Sequence, residues 1–176
     1  MKPWRPSAAS GGHVSTHPHG ACSHTNEPIG AGGLASWGVS RGVSWDGMRI
    51  VGLGLDATEV PRIAAMLDQY GDRFRHRVYT AGEIAYCDGK EKRGAAASYA
   101  ARFAAKEAGM KAIGTGKSAG VLWRDIEVVR GRGGPPQLEF HGAARRHFDR
   151  LGATKALITI THTAQLAIVH VMLVAE

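Results

Sequence analysis

Along residues 48–176, apolar residues fall into runs whose spacing separates strands from helices. In MRIVGLGLD at 48–56, Val51, Leu53 and Leu55 point one way and Ile50, Gly52, Gly54 and Asp56 the other, which predicts a strand. Glycines on the Asp56 face would let something large come close to the backbone. Residues 59–70 place Ile63, Met66, Leu67 and Tyr70 at the spacing of a buried helical stripe, with Pro61 in the first turn and Gly71 as a stop. Residues 72–97 are charged and irregular, with a short helix predicted around 81–87. A helix is predicted over 96–113, and GTGKSAG at 114–120 is a loop. VLWRDIEVVR (121–130) and QLEFH (137–141) read as strands joined through GRGGPP. Ala144, Phe148 and Leu151 share one face of a helix over 142–151 that stops at Gly152. Strands at 156–162 and 166–174 follow. This order predicts an α+β fold, an antiparallel sheet with helices on one side.

Residues 1–47 have a different texture. They hold nine glycines, four histidines (His13, His17, His19, His24) and two acids, with no apolar periodicity. Such a stretch buries too little to offset its ordering entropy, so it is expected to be a disordered or non-native extension ahead of a domain at 48–176. The histidines are irregularly spaced and lack carboxylate or thiol company, which argues against a metal tract. Cys22 and Cys87 form no disulfide framework and are read as free thiols. LAIVHVMLVA at 166–175 is about half the ~20 residues a membrane span needs, and the first 30 residues lack an apolar secretory segment. The expected location is cytoplasmic.

Charge narrows the partners. The net charge of +7 and pI near 9.8 favour anionic ones. A basic nucleic-acid-binding module is the competing class, but aromatic residues are only 7% and do not interleave with basic ones as a stacking platform requires.

Three segments carry candidate chemistry: GLGLD ending in Asp56, RFAAKEAGMKAIGTG at 102–116, and ITHT at 160–163. Phe103, Glu107 and Lys111 share one helical face, with Arg102 and Lys106 on a neighbouring one. Two carboxylates, Asp56 and Glu107, could give magnesium hard oxygen ligands, with phosphates and water completing its shell. Arg102, Lys106 and Lys111 could meet those phosphates, helped by backbone amides of Gly114, Thr115 and Gly116. Each residue also has a structural reading. Glu107 and Lys111 could be a surface pair, Asp56 a helix cap in competition with Thr58, the GTG segment a C-cap, and His162 a strand histidine.

Taken together, VGLGLD at 51–56, RFAAKEA and KAIGTG within 102–116, WRDIEV at 123–128 and ITHT at 160–163 make residues 48–176 resemble the holo-[acyl-carrier-protein] synthase family. The resemblance implies a ferredoxin-like phosphopantetheinyl transferase fold. It implies a magnesium-dependent enzyme of fatty acid biosynthesis that moves the 4'-phosphopantetheine arm of coenzyme A onto a serine of apo acyl carrier protein. Adenosine 3',5'-bisphosphate leaves. The metal ligands would be Asp56 and Glu107, and Lys111 would be catalytic. Either Glu107, through a water on the ion, or His162 would be the base. Arg102, Lys106, Gly114, Thr115, Gly116 and Thr163 would contact coenzyme A. Arg62, Arg73, Arg75 and Arg77 would dock the acidic carrier, and the protein would be a homotrimer with sites between subunits. A transferase with broader carrier specificity stays open, and the extension at 1–47 has no counterpart in the family.

Overall fold

The computed structural model describes residues 47–131 and 134–176, so what was expected of residues 1–46, their histidines and Cys22 lies outside the described residues. In chain order the elements are β1 (Arg49–Glu59), α1 (Val60–Val78), α2 (Ala81–Asp88), α3 (Lys92–Ala112), a 3-10 turn at Trp123–Asp125, β2 (Ile126–Arg130), β3 (Pro136–Phe140), α4 (Gly142–Arg150), β4 (Lys155–His162) and β5 (Leu166–Ala175). The strands form two antiparallel sheets, one of order β1-β5-β4 and one of β2 with β3, where a single sheet was expected. Among the described residues no helix is long and apolar enough to cross a membrane.

The core lies between α3 and the larger sheet. Alternation on β5 turns Ala167, Val169, Val171 and Leu173 inward, all fully buried. Against them α3 presents Ala101, Ala104, Ala105 and Ala108. Small side chains let the helix ride close to the strands, and β1 meets it with glycines. A Cβ at Gly54 would collide with the Ala108 carbonyl, and one at Gly52 with the Ala112 carbonyl. What approaches the glycine face of β1 is therefore α3 itself. Gly54→Ala is expected to lower stability by about 1–3 kcal/mol through overpacking, read as a fall in the urea midpoint at constant slope.

Among the described residues, the opposite face of this sheet carries an exposed apolar patch. Leu53 and Leu55 are 55% and 58% exposed. Leu53 stands in register with Met172, and Met172 with Leu157, extending the patch across three strands.

Three boundaries differ from expectation. The first helical segment does stop at Gly71 (φ 51, ψ −131), which is non-helical, but a second segment of α1 follows at once and buries Phe74 and Val78 one turn apart. The surrounding charges of residues 72–77 hid that pair from a periodicity count. α3 starts at Lys92 instead of 96. The strand expected from residue 121 starts at Ile126, because Asp125 turns the chain. Its carboxylate accepts the Leu122 and Ala143 N–H groups at 3.1 and 3.3 Å, and its carbonyl accepts that of His141 at 2.7 Å. One side chain thus joins the turn to the start of α4, which stacks Phe148 on Phe140 at 4.9 Å.

Candidate active site

Asp56 lies on the inner face of β1, in the row completed by Val169 and Ile160. One carboxylate oxygen accepts the Thr58 hydroxyl at 2.8 Å. The other accepts the Lys111 ammonium at 2.9 Å, and that ammonium also donates to the Leu55 carbonyl at 2.9 Å. This decides two open readings. Asp56 is not a helix cap, since the cap position of α1 is Glu59, which makes no side-chain capping bond. Lys111, although its side chain is 48% exposed, reaches across to β1 to pair with Asp56.

Glu107 sits one turn before Lys111 on α3. Burial pushes its carboxyl above the usual glutamate range, and the Asp56 carboxylate adds to the rise, while Lys111, Lys117 and Arg62 oppose it. Two carboxylates are thus held within each other's field, and the charges of three cations act on Glu107. Arg62 and Lys117 each lie over one ring of a tilted aromatic pair. Phe103 and Trp123 lie 4.8 Å apart, Arg62 is 5.7 Å from the Phe103 ring and Lys117 is 5.0 Å from the Trp123 ring. Lys117 was not foreseen. The available signal was a lysine in the loop after α3 with Trp123 six positions on, too weak without the fold.

The loop after α3 does not offer its amides to a ligand. The Gly114 N–H donates to Lys111 O at 3.0 Å, and those of Thr115 and Gly116 donate to Met110 O at 3.1 and 3.2 Å. Gly114 and Gly116 take positive φ (74° and 54°), as a helix C-terminal closure needs. The C-cap reading holds, and the loop's contribution is to present Lys117.

Lys106 departs most from expectation. It is fully buried, and its ammonium pairs with Glu83 at 2.7 Å and donates to the carbonyls of Trp123, at 3.1 Å, and Ile126. Burial pulls it below the usual lysine range, and the adjoining Glu83 carboxylate pushes it back up. Glu83 also closes the capping box of α2 by accepting Thr80 N–H at 2.9 Å, and it accepts Val128 N–H at 3.0 Å. Lys106 therefore ties α2, α3 and β2 together and has no exposed surface for coenzyme A.

A second cationic constellation lies around a cavity of about 200 Å³ lined by Tyr86, Ser98, Arg102, Arg130 and His162, among others. Arg102 is 6% exposed, and one Nη donates to Ser98 O at 3.3 Å. His162 faces this cavity. It stands opposite Ala167, which stands opposite Thr58, so two strand spacings, about 10 Å, separate it from the strand carrying Asp56. Within one chain it is thus brought to Arg102 and not to the carboxylates. Thr163 accepts the Gln165 and Leu166 N–H groups at 3.2 and 3.1 Å and shapes the hairpin between β4 and β5.

The four arginines assigned to docking separate. Arg73 and Arg77, one turn apart, flank an apolar hollow of about 240 Å³ with Met66, Tyr70 and Phe74. Arg75 faces elsewhere and pairs with Asp72 at 3.1 Å, beside a different cavity lined by Asp68, Asp88 and Tyr99. Arg62 is one of the three cations that act on Glu107.

An inner-face carboxylate on the first strand, a second on a central helix and basic side chains whose charges act there are features of enzymes that handle phosphate groups. The sequence model of the 4'-phosphopantetheinyl transferase superfamily matches residues 52–169. The chain is similar to the holo-[acyl-carrier-protein] synthase of Solibacter usitatus, 52% identical over 124 residues that cover 70% of this chain and 98% of that protein. It is also similar to the crystal structure of the synthase from Neisseria meningitidis, with TM-score 0.64 and 26% identity over 71% of this chain and 98% of that one. The Bacillus anthracis synthase, solved in complex with coenzyme A (3',5'-ADP), gives TM-score 0.60 and 33% identity over 72% of this chain and 98% of that one. The chain belongs to the holo-[acyl-carrier-protein] synthase family of phosphopantetheinyl transferases.

Proposed function

We propose that this protein transfers the 4'-phosphopantetheine moiety of coenzyme A to a serine of apo acyl carrier protein, releasing adenosine 3',5'-bisphosphate, as a cytoplasmic enzyme of fatty acid biosynthesis. The observation that carries the reading is the pair Asp56 and Glu107, held in each other's field, with the charges of Lys111, Lys117 and Arg62 acting on Glu107. Two like charges so placed ask for a cation between them.

The donor set fits magnesium. Both groups are hard carboxylates, and the Asp56 carboxylate with the Leu55 carbonyl already holds one cation, the Lys111 ammonium, at 2.9 Å. Among the described residues no third acidic, histidine or cysteine side chain joins them, which suits an ion that takes its remaining ligands from water and substrate phosphate. A magnesium ion held by Asp56 and Glu107 would supply positive charge at the diphosphate. Lys111, Lys117 and Arg62 add positive charge where phosphoryl transfer concentrates negative charge. Glu107, whose affinity for a proton is raised by burial and by Asp56, takes the proton of the attacking serine, directly or through one water. Arg102 and His162 receive the nucleotide end of coenzyme A in their shared cavity.

The carrier docks on the second half of α1. An acidic helix would set its carboxylates on Arg73 and Arg77 and an apolar residue into the hollow of Met66, Tyr70 and Phe74. Charge reversal at both arginines is expected to raise the KM for carrier at least tenfold with kcat changed little, because rim charges act on encounter and docking. Arg75→Ala, on the other side of the helix, is expected to change it less than twofold. Steady-state kinetics at two salt concentrations checks both. The exposed apolar patch with Leu53, Leu55 and Met172 supports assembly as a homotrimer, since patches of that kind are seldom left to solvent. Sedimentation would read the trimer.

The reaction is tested by incubating the protein with apo acyl carrier protein, coenzyme A and magnesium and weighing the carrier. A gain of one phosphopantetheine, abolished by chelator and restored by magnesium, is expected. No gain with several carriers would sink the assignment, and a gain unaffected by chelator would remove the ion from it.

A further inference from the structure

Tyr86, on α2, is touched by three cations. The Arg102 guanidinium lies 4.0 Å from its ring centroid and the Lys90 ammonium 4.8 Å from it. Its phenol oxygen accepts Arg130 Nη1 at 3.2 Å. Arg130 is fixed from its other side, where Nε donates to Gly134 O at 2.9 Å. Arg102 bonds Ser98 O through Nη1 at 3.3 Å. Arg130's hydrogen bond holds the Tyr86 phenol below the usual tyrosine range, with Lys90 and Arg102 acting in the same direction.

The cavity they share is built for an anion. Two guanidinium groups and the His162 imidazole line it, and none of its lining residues is acidic. Guanidinium groups match phosphate oxygens in charge and in geometry. Coenzyme A carries two separate anionic parts, the diphosphate and the 3'-phosphate of its ribose. The diphosphate belongs beside Asp56 and Glu107. Arg102 precedes Glu107 by five residues on α3, about 7.5 Å of helix rise, so its cavity serves the other phosphate.

We propose that Tyr86 is a positioning residue. Its ring under Arg102 and its hydroxyl on Arg130 hold both guanidinium groups to the 3'-phosphate, and this sets the preference for coenzyme A over dephospho-coenzyme A. The inference rests on the reading of Arg102 as a coenzyme A contact. Without Tyr86, Arg102 and Arg130 keep one backbone anchor each and regain rotamer freedom that binding must then remove.

The test compares Tyr86→Leu, Tyr86→Phe and Arg102→Met with wild type, measuring KM and kcat for coenzyme A and for dephospho-coenzyme A, with circular dichroism melts on each protein. Tyr86→Leu is expected to raise the KM for coenzyme A about tenfold, with kcat within twofold and the KM for dephospho-coenzyme A unchanged, the size of one cation–π contact and one hydrogen bond to a charged group. Tyr86→Phe keeps the ring and the packing, loses only the bond to Arg130, and should raise it about threefold for coenzyme A alone. Arg102→Met should abolish the preference for coenzyme A. If Arg102→Met behaves so but both Tyr86 variants leave the preference intact, or raise both KM values equally, Tyr86 is structural and the inference fails by itself. If Arg102→Met leaves the preference intact, the assignment of the cavity to coenzyme A falls and the inference with it.

Discussion

Asp56→Ala is expected to slow phosphopantetheine transfer by about 10²–10³-fold or more, the scale seen when a group stabilising charge in a transition state is removed. Asp56 has two tasks that its variants separate. It contributes negative charge to the pair with Glu107 and Lys111, and it accepts the hydroxyl of Thr58, a fully buried residue. Alanine ends both, so the melt should also fall by the cost of one buried unpaired hydroxyl, about 1–3 kcal/mol. Asp56→Asn keeps an acceptor for Thr58 and removes the charge together with the acceptor for Lys111. It should lose as much activity and much less stability. Equal activity in Asp56→Asn and wild type would remove the carboxylate from the reaction.

Glu107→Gln should match that loss of rate and yet stabilise the chelated protein. Glu107 binds its proton more tightly folded than unfolded, owing first to burial and then to Asp56. Over the interval between its unfolded and its raised folded pKa the folded state holds more protons, so stability falls as pH rises through that interval, and the full penalty applies above it. Glutamine carries no such penalty. In chelator its melting temperature should exceed wild type by about 1–3 °C at pH 8. The two should converge below about pH 4, under the ordinary glutamate value. Calorimetry at the two pH values reads the difference, and a variant less stable than wild type at pH 8 would contradict the electrostatic account.

Breaking the buried pair of Glu83 and Lys106 should give the largest loss of stability in the domain. Both side chains are fully buried, and removing one partner of such a pair leaves an uncompensated charge, at a cost of about 3–5 kcal/mol. For a domain of this size that is a drop of about 10 °C or more in melting temperature. Lys106→Met also takes a donor from the carbonyls of Trp123 and Ile126, and Glu83→Gln weakens acceptance from Thr80 and Val128. An apolar double replacement should therefore not recover wild-type stability, unlike an ion pair with no other partners. At a temperature where Lys106→Met remains folded, the KM for coenzyme A should be unchanged within about twofold. A tenfold rise in KM with an unaltered melt would return Lys106 to the ligand.

Much of the site was legible because its chemistry is written locally. Asp56 closes an alternating strand, and Glu107 and Lys111 recur one turn apart on a long helix, a spacing equally open to a helix cap and a surface pair, so it was the resemblance of the short motifs to a family that marked them. The same spacing could not say where an ammonium goes. Lys106 and Lys111 look alike along the chain, yet one is enclosed with Glu83 and the other crosses to Asp56. Arg73, Arg75 and Arg77 look like one basic patch, yet helical geometry and Asp72 turn Arg75 away from the other two.

The sequence by itself determined the α+β class and the family, because hydrophobic period, turn residues and short motifs are properties of neighbouring positions. Tertiary structure decided the rest. It assigned the glycines of β1 to the backbone of α3, the amides after α3 to that helix's own C-terminus, Lys117 to the cations acting on Glu107, and Tyr86 to Arg102 and Arg130. Each of these depends on groups far apart in the chain meeting in space, and on which burial leaves a charge to be answered by a partner, a relation that no local pattern encodes.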